Sequence, residues 1–559
     1  MSDTYLTLFT IGPVQSFIAK ARKLQDLYAG SFLLSHLTIQ AINRVKSINE
    51  TRGIKADVLF PNLDANKKSA PNRILIKVEI GGTEALREFC AGLETFVREE
   101  WAKIAKKVFD ETRLGYTAAA AAQIESLLQV FYASEPYSGG GQFGERYVNA
   151  IKRLGAAKTF RSFTQLAEPH GRKCSLMHEH NALFYREWRG YLVEGDEGAQ
   201  QVTNDNVRGL DKYIQPDETL GAVSFVKRCL KRAIPIFNDS FPSVTDVYEM
   251  HGDKYKEGDD KHGYYAVVMF DGDDMGKWYS EPYMKGVKRE STEQFQKILS
   301  SEVSKFAAEK SYKIVNWDSS DSKKSKNGVV VYAGGEDFLG VLNIKDAFSA
   351  LNELRETFGS IDLREFTEQR LSFSAGVVIA HVKTPLPAVL SQARDAEHKA
   401  KARSGKDAFC LSIMKHSGEV TEFVLPFYQQ NQPNSNGQPA DPADDARTVI
   451  VSALATFDRL VEIIVNEKLS VKFIYQLGVE LERIAEIDDE NLHKEVFIIE
   501  AERVLKHSEF EDEEKREKIV KEVTAILKTL TEDSEFKLKN LLMYLRAVAF
   551  IAKERGAAQ

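Results

Sequence analysis

Residues 264–278 and 330–342 carry the sequences YYAVVMFDGDDMGKW and VVYAGGEDFLGVL, and these two stretches decide the fold around them. Each begins with an apolar run as long as a strand, and carboxylates follow. Asp271 comes where the first run ends. Glu336 and Asp337 follow the paired glycines Gly334 and Gly335, which permit a tight turn because glycine accepts left-handed backbone conformations. The sequence predicts one strand in the first stretch and a tight hairpin in the second, with acidic residues at their ends.

Three carboxylates that converge at neighbouring strand ends would provide half of a magnesium site. Mg²⁺ prefers oxygen ligands and usually shares them with substrate phosphates. In nucleotidyl transfer, one ion lowers the pKa of the attacking hydroxyl while another neutralises the leaving pyrophosphate. We therefore predict ATP as the substrate, with Mg²⁺ or Mn²⁺ bound at a site made by Asp271, Gly272, Glu336 and Asp337, the three carboxylates also being the catalytic residues.

Further residues are predicted to contact the nucleotide. Gly334 and Gly335 have no side chain where phosphate or ribose would approach the turn. Lys401 and Lys406 lie near the end of a predicted helix, from which they would reach a triphosphate; a solvated basic helix end is an equally good interpretation of both. Each acidic motif alone is also typical of an ordinary turn or capping loop. The FDGDD run lacks the spacing of a calcium-binding EF-hand loop.

The segments around the acidic motifs alternate between strand and helix patterns. Apolar periodicity predicts helices over 292–310, 345–359 and 387–403, and a further strand over 371–382. The order β, α, β-turn-β, α, β, α matches a ferredoxin-like palm.

The N-terminal part of the chain shows a similar alternation. A buried strand is predicted over 4–11, a turn and a long helix over 12–45, strands over 56–61 and 72–80, and a helix over 83–108. This pattern favours an α+β unit of the split βαβ kind. Residues 134–181 are rich in glycine and polar residues and predict a loop. The polar stretch 317–327 predicts a mobile loop, and 429–447 a linker that precedes charged helices.

Composition excludes several classes of protein. The 559 residues are 43% hydrophobic, no run approaches a membrane span, and four scattered cysteines favour a reducing compartment, so we expect a cytoplasmic protein without membrane contact. The net charge of −7 gives no global basic field for nucleic acid. The basic run of Lys227, Arg228, Lys231 and Arg232 is predicted to be a solvated helix face.

The chain resembles the polymerase/cyclase-like large subunit of type III-B (Cmr) CRISPR effector complexes. The resemblance rests on IGPVQSFIAKARKLQDLYAGSFLLS from residue 11, FPSVTDV from 241, the two acidic stretches, FSAGVVIAHVKTPLPAVLSQARDAEHKAKARSGKDAF from 373 and LSVKFIYQL from 469. It implies guide RNA, target RNA and other Cmr subunits as partners. It also implies two facing palms with two ATP molecules between them, and it places Ser374 near an adenine and Gly30 and Ser31 in the first palm's substrate loop.

The fold class expected is therefore α+β, with two ferredoxin-like palm domains and helical intervening and C-terminal domains. The domains expected are a first palm over 1–133, an intervening helical region with a degenerate zinc finger over 134–262, a catalytic second palm over 263–420, and a linker with a C-terminal helical domain over 421–559.

The sequence departs from the family pattern in three places. Relatives that cut single-stranded DNA carry an HD nuclease domain before the first palm. Here the palm starts at residue 5 and no histidine is followed directly by an aspartate, so DNase activity is not expected. The usual pair of CxxC motifs is reduced to Cys174, with Gly221 and Ser224 where the second motif would be. Zinc is therefore not expected, and a surface or core role is favoured for Cys174, His178 and His180. The third departure is GGED in place of GGDD.

Several functions stay open on the sequence alone. The leading hypothesis is an RNA-activated enzyme that makes a nucleotide second messenger from ATP, either a cyclic oligoadenylate or AMP joined to S-adenosylmethionine. A catalytically silent RNA-binding scaffold is one alternative, although a scaffold has no need of an uncompensated anionic cluster. A free-standing diguanylate cyclase is another, since its GGDEF motif is close to GGEDF.

Overall fold

The computed structural model describes most of the chain. The described residues are 3–51, 54–63, 69–139, 142–160, 168–187, 196, 198–235, 241–256, 262–283, 292–315, 328–429, 451–466, 469–484, 490–508, 513–531, 533, 535 and 537–556. The predicted loop over 317–327 lies outside them, as does nearly all of the predicted linker. No helix in these ranges combines the length and the hydropathy of a membrane span.

The N-terminal sheet has four antiparallel strands in the order β2-β3-β1-β4. Its elements are β1 (Asp3–Gly12), α1 (Gln15–Ile18), α2 (Leu24–Thr51), β2 (Lys55–Phe60), β3 (Arg73–Ile80), α3 (Gly82–Thr112), α4 (Ala118–Leu127) and β4 (Gln129–Pro136). This is the strand order of a ferredoxin-like unit, as predicted. The predicted long helix is interrupted between α1 and α2, and β4 continues three residues past the predicted end of the domain at 133.

The second sheet has six strands in the order β13-β12-β11-β8-β10-β9. Its elements are β8 (Tyr264–Gly272), α9 (Met275–Trp278), α10 (Thr292–Lys305), α11 (Ser311–Val315), β9 (Gly328–Gly334), β10 (Asp337–Asn343), α12 (Ala347–Gly359), β11 (Phe373–His381), α13 (Leu386–Ala402), β12 (Ala408–Met414) and β13 (Val420–Pro426). Four of its strands, β11-β8-β10-β9, form the predicted palm. The sequence analysis missed β12 and β13, and β13 extends the sheet beyond the predicted domain end at residue 420. The α+β class with two palm-like sheets is confirmed.

Strand β8 is buried on both faces, which explains its continuous apolar run. Phe270 and the alternate residues before it pack into the core beneath α10 and α12. Tyr265 and Val267 pack into a second core with residues of α13 and of α2. Strands of the first sheet also contribute to the core of Phe270, as with Leu75. The two palms are therefore packed against each other, and the odd-numbered residues of β8 face α13.

The region between the palms contains more regular structure than predicted. Its elements are α5 (Phe143–Thr159), β5 (Phe184–Tyr185), β6 (Gln200–Gln201), α6 (Leu210–Tyr213), β7 (Thr219–Leu220), α7 (Ala222–Cys229) and α8 (Val244–Tyr248). The prediction of a loop over 134–181 is wrong for α5. Its buried residues Phe143, Tyr147, Ala150 and Leu154 recur at helical spacing. The glycines before this helix favoured a loop and led the prediction to overlook that spacing.

The C-terminal part is helical, as the charged periodic sequence predicted. Its elements are β14 (Tyr428–Gln429), β15 (Val451–Ser452), α14 (Ala453–Asn466), α15 (Lys472–Ile484), α16 (Glu490–Lys506), α17 (Glu513–Thr531) and α18 (Leu538–Gly556). Buried residues such as Phe457 and Tyr544 join the core of the second sheet through Phe423 of β13. The helical part therefore packs directly on the second palm.

Candidate active site

The two acidic motifs meet because β8 and β10 are antiparallel neighbours. Their pairing places Phe338 opposite Phe270. Continued by one residue, the same register brings Asp337 opposite Asp271, and opposed residues in antiparallel strands lie about 4.5–5.5 Å apart between Cα atoms. Side chains alternate along a strand, so both carboxylates fall on the face covered by α13. Two acids distant in sequence are thus neighbours in the fold.

The turn between β9 and β10 is tight, as predicted. Gly334 pairs with Asp337, and Gly335 between them has a φ of +75°. Glu336 occupies the second turn position, close to Gly272 at the end of β8. A Cβ atom at residue 272 would lie 2.9 Å from the Cβ of Glu336. The absence of a side chain at Gly272 therefore allows the two acidic loops to close on each other.

Burial and proximity raise the pKa of two of the acids. Burial is the main cause of the raised pKa of Glu336, and the neighbouring Asp337 raises it further. Burial also raises the pKa of Asp337, while the guanidinium of Arg73 lowers it. The Oε2 atom of Glu336 is buried and has no hydrogen-bond partner. An unpartnered buried carboxylate oxygen favours a proton or a cation beside it.

Arg73 is a residue that the sequence analysis missed. It is the first residue of β3, in the first palm, and its charge lowers the pKa of both Glu336 and Asp337 in the second. Burial raises the pKa of Tyr147 in α5, which Arg73 opposes. The ring of Tyr147 lies 6.4 Å from that of Tyr279, beside Glu336. No local motif indicates this arrangement, because it depends on how the palms pack together.

Helix α13 supplies another acid and the predicted lysine. Lys401 forms ion pairs with Asp271 and, at 3.0 Å, with Glu397 one turn earlier. Glu397 is 7% exposed, and burial raises its pKa to about 7, with Asp337 as the next cause. A Cβ atom at Gly376 of β11 would lie 2.6 Å from the backbone nitrogen of Glu397. Close packing of α13 on β11 therefore brings Glu397 to the acids. In the sequence, the only sign of this position is that Glu397 lies four residues, or one helical turn, before Lys401.

The remaining acids of the FDGDD run have their own partners. Asp273 is buried and accepts hydrogen bonds from the hydroxyl of Ser374 at 2.7 Å and from the backbone nitrogen of Asp407 at 3.0 Å. Asp274 accepts one from Lys406 at 2.6 Å, and this contact is the main cause of its lowered pKa. The hydroxyl of Ser374 and the ammonium of Lys406 thus contact protein acids, and their roles at a nucleotide stay predictions.

The donor set suits a divalent cation by chemical type, although the carboxylates are not closed around one. Within the described ranges, no three His, Cys, Asp or Glu side chains are placed to hold one ion. The ammonium of Lys401 lies against Asp271. Asp271, Glu336 and Asp337 present the oxygen ligands that Mg²⁺ prefers, and the Oε2 atom of Glu336 has no hydrogen-bond partner. Lys401 would therefore have to move away from Asp271 before Asp271 could bind an ion.

Gly30 and Ser31 do not lie in a loop, so the loop part of that expectation is wrong, while their contact with a nucleotide stays a prediction. Both are inside α2, and Ser31 is buried. A Cβ atom at Gly30 would lie 2.7 Å from Cε of Lys227. Lys227 is itself buried and donates to the carbonyl oxygens of Phe17 at 2.7 Å and Lys20 at 2.9 Å. Gly30 therefore makes room for a buried lysine.

The predicted solvated basic run is wrong for its first two members. Lys227 is 2% exposed and Arg228 is fully buried. Arg228 forms ion pairs with Asp26 of α2 and, at 3.0 Å, with Glu218. Burial of these cations is possible because carbonyls and carboxylates of two segments surround them. Lys227 and Arg228 thus join the intervening region to the first palm.

Cys174 lies in the core, which is one of the two roles predicted for it because the other cysteines of the CxxC motifs are absent. Its thiol is buried, donates to Ser224 at 3.3 Å and accepts from the backbone nitrogen of Met177 at 3.3 Å. His178 is exposed, whereas His180 is buried and burial lowers its pKa. The serine that stands at the second motif is therefore the direct neighbour of the remaining cysteine.

Comparison with known proteins agrees with this architecture. Residues 264–410 match the family model of the Cas10/Cmr2 second palm domain, and residues 6–106 match that of the N-terminal domain of the CRISPR-associated protein Cmr2. The chain is 28% identical over 262 residues to the CRISPR system Cmr subunit Cmr2 of Pyrococcus furiosus. It is 27% identical over 164 residues to the single-strand-specific deoxyribonuclease Cas10/Csm1 (subtype III-A) of Streptococcus thermophilus.

These alignments cover 42% and 29% of this chain, and only 29% and 20% of the two relatives. Solved structures extend the fold comparison further. Type III-B Cmr-beta in the apo state matches with a TM-score of 0.65 at 13% identity, over 98% of this chain and 82% of that one. Cmr-beta bound to cognate target RNA matches with a TM-score of 0.66 at 14% identity, over 99% and 83%. Two regions of the chain thus match Cas10/Cmr2 domain models, the Cmr2 relative is similar to it in sequence, and the Cmr-beta structures share its fold.

Proposed function

We propose that this chain is a target-RNA-activated nucleotidyltransferase that uses ATP and Mg²⁺ or Mn²⁺ to make a nucleotide second messenger. The observation that carries the proposal is the register of β8 and β10, which pairs Phe338 with Phe270 and, continued by one residue, sets Asp337 opposite Asp271. The unpartnered buried oxygen of Glu336 beside them supports it. A scaffold would gain nothing from three acids collected in this way.

The residues of the site would divide the work between holding a cation and holding phosphates. Asp271, Glu336 and Asp337 would hold the divalent ion, which supplies charge neutralisation and a lowered pKa of the attacking hydroxyl when bound. Lys401, displaced from Asp271, would then be free to contact the phosphate chain. Arg73, from the first palm, would partly offset the effect of burial by lowering the pKa of Glu336 and Asp337.

The product and the partners belong to the same proposal. A cyclic oligoadenylate requires that the 3′-hydroxyl of one ATP attack the α-phosphate of another, whereas the S-adenosylmethionine conjugate requires a different acceptor at the same site. Guide RNA, target RNA and other Cmr subunits are the proposed partners, in the cytoplasm. Four unpaired cysteines suit that compartment. The expected lack of DNase activity stays a prediction.

Product analysis tests the proposal directly. The chain is assembled with Cmr subunits, guide RNA and target RNA, and labelled ATP is supplied with and without S-adenosylmethionine. Mass measurement should find a cyclic product in both samples, or a conjugate only where S-adenosylmethionine is present. The absence of any product in either sample, with the complex intact, would reject catalysis.

A silent RNA-binding scaffold is the second candidate, and one observation favours it. Lys401 pairs with Asp271, and Lys406 pairs with Asp274 at 2.6 Å, so part of the acidic cluster is neutralised by protein cations. A site compensated in this way would survive without a metal ion. Target-RNA binding by the complex without any ATP-derived product would support this candidate.

A further inference from the structure

The segment from Lys401 to Asp407 joins the end of α13 to the acids of the site at three points. Lys401 forms an ion pair with Asp271. Lys406 donates to Asp274 at 2.6 Å, and the backbone nitrogen of Asp407 donates to Asp273 at 3.0 Å. Any shift of this short segment therefore moves two cations and a backbone donor relative to the acids. We call residues 401–407 the lysine segment.

The backbone of the lysine segment is held in a conformation that needs support. Gly405, Lys406 and Asp407 have φ values of +78°, +56° and +45° in succession. Two of these residues carry side chains, and left-handed conformations of such residues persist only where the surroundings impose them. One restraint is Arg355 of α12, which donates to Asp407 at 2.7 Å. This restraint acts at the C-terminal end of the segment.

The restraint at the other end comes from the C-terminal helical part of the chain. Arg403 forms ion pairs with Asp533 and, at 3.4 Å, with Glu535, both between α17 and α18. The backbone nitrogen of Ser404 donates to the carboxylate of Glu535 at 3.0 Å. The side chains of Arg403 and Asp533 are 8% and 5% exposed. Buried charges of this kind depend strongly on both partners being present.

Arg403 lies between the two lysines in sequence but contacts neither acid motif. Its ion pair with Asp533 joins the end of α13 to a residue 130 positions later in the chain (533 minus 403). Lys401 lies two residues before it and Lys406 three residues after it. The contacts of Asp533 and Glu535 are therefore transmitted to both cations through a segment too short and too constrained to absorb a displacement.

We propose that Arg403 is a positioning residue, and that the C-terminal helical domain sets the placement of Lys401 and Lys406 at the acids through Asp533 and Glu535. Docking of this domain and occupation of the nucleotide site are then coupled. A change in how the C-terminal helices dock would release or fix the lysine segment. The coupling to nucleotide rests on the function proposed above, whereas the positioning of the segment does not.

Hydrogen exchange on the full chain tests the positioning without any activity. The double variant Asp533→Asn with Glu535→Gln keeps side-chain size and removes both charges. We expect the amides of Ser404, Lys406 and Asp407 to exchange about tenfold faster or more, because local opening governs exchange. The control Glu522→Gln breaks an ion pair with Arg459 inside the C-terminal helices and should leave these amides unchanged. Faster exchange at Ser404 alone, with Asp407 unaltered, would overturn the proposal.

Binding of a fluorescent ATP analogue with Mg²⁺ tests the coupling. The double variant and the milder Arg403→Lys should each bind about tenfold more weakly than wild type while circular dichroism and thermal unfolding show a folded chain. Equal binding in wild type and both variants would reject the coupling. If wild type binds no analogue while exchange of the lysine segment still responds, the proposed function fails and the positioning role stands.

Discussion

Gly272 and Glu336 approach each other so closely that a Cβ atom at residue 272 would lie 2.9 Å from the Cβ of Glu336. The same atom would lie 2.8 Å from the side chain of Met275. Real Cβ atoms do not come this close, so one of the two acidic loops would have to move. The contact ties the geometry of the site to a single glycine that bears no charge.

Replacing Gly272 with alanine should therefore damage both stability and activity. Overpacking of this kind costs about 1–3 kcal/mol, and displacement of Glu336 should lower messenger synthesis at least about tenfold. Thermal unfolding and product yield measure the two effects. Gly276→Ala is the matched control, because a Cβ atom there meets nothing within 4 Å. Normal activity in Gly272→Ala would show that the close contact has no bearing on the chemistry.

Arg73→Gln should move the pH dependence of activity. Arg73 lowers the pKa of Glu336 and Asp337, so its loss lets both carboxyls keep their protons to higher pH. Metal ligands must be deprotonated, and the acidic limb of kcat/KM against pH should move upward by roughly 1 pH unit. Lys77→Gln removes another cation of β3, one that pairs with Glu293 at 3.0 Å, and should not move the limb. If the acidic limb of the pH profile does not move in Arg73→Gln, Arg73 does not influence the carboxylates of the site.

The raised pKa values also predict how stability varies with pH. A carboxyl whose pKa is raised on folding stabilises the fold below its unfolded pKa, and this contribution disappears as pH rises through the folded value. Asp337→Asn should therefore raise the stability at pH 8, by on the order of 1 kcal/mol, and leave it nearly unchanged at pH 4. Denaturant unfolding at both pH values measures this, and a variant destabilised at pH 8 would contradict it.

Lys227→Met should destabilise the joint between the first palm and the intervening region. The substitution leaves the carbonyl oxygens of Phe17 and Lys20 without their buried donor, at an expected cost of about 3 kcal/mol in the free energy of unfolding. Lys107→Met, at an exposed position of α3, is the control. Equal unfolding free energies for the two variants would mean that the buried lysine contributes no more than a surface one.

Local signals in the sequence were sufficient for much of the fold and for the acids. The apolar run of β8 and the glycine pair at 334 and 335 predict a buried strand and a tight turn, because each depends on a few adjacent residues. Helix α5 was missed because the glycines before Phe143 outweighed its apolar period. Strands β12 and β13 were missed although their sequences alternate or are continuously apolar, as in AFCLSIM.

Long-range contacts were not predictable in the same way. Arg73 reaches the acids from another domain, and Glu397 reaches them only because Gly376 lets α13 pack closely on β11. Lys227 and Arg228 have the local pattern of a solvated face, yet distant carbonyls and carboxylates enclose them. Sequence spacing along one element carries no information about partners supplied by another.

Product yield from Asp337→Ala, measured in the assembled complex with target RNA, Mg²⁺ and labelled ATP, tests the central claim most directly. If Asp271, Glu336 and Asp337 hold the ion that activates ATP, the variant should bind target RNA normally and make about a thousandth of the wild-type product or less. Wild-type yield from Asp337→Ala would contradict the account.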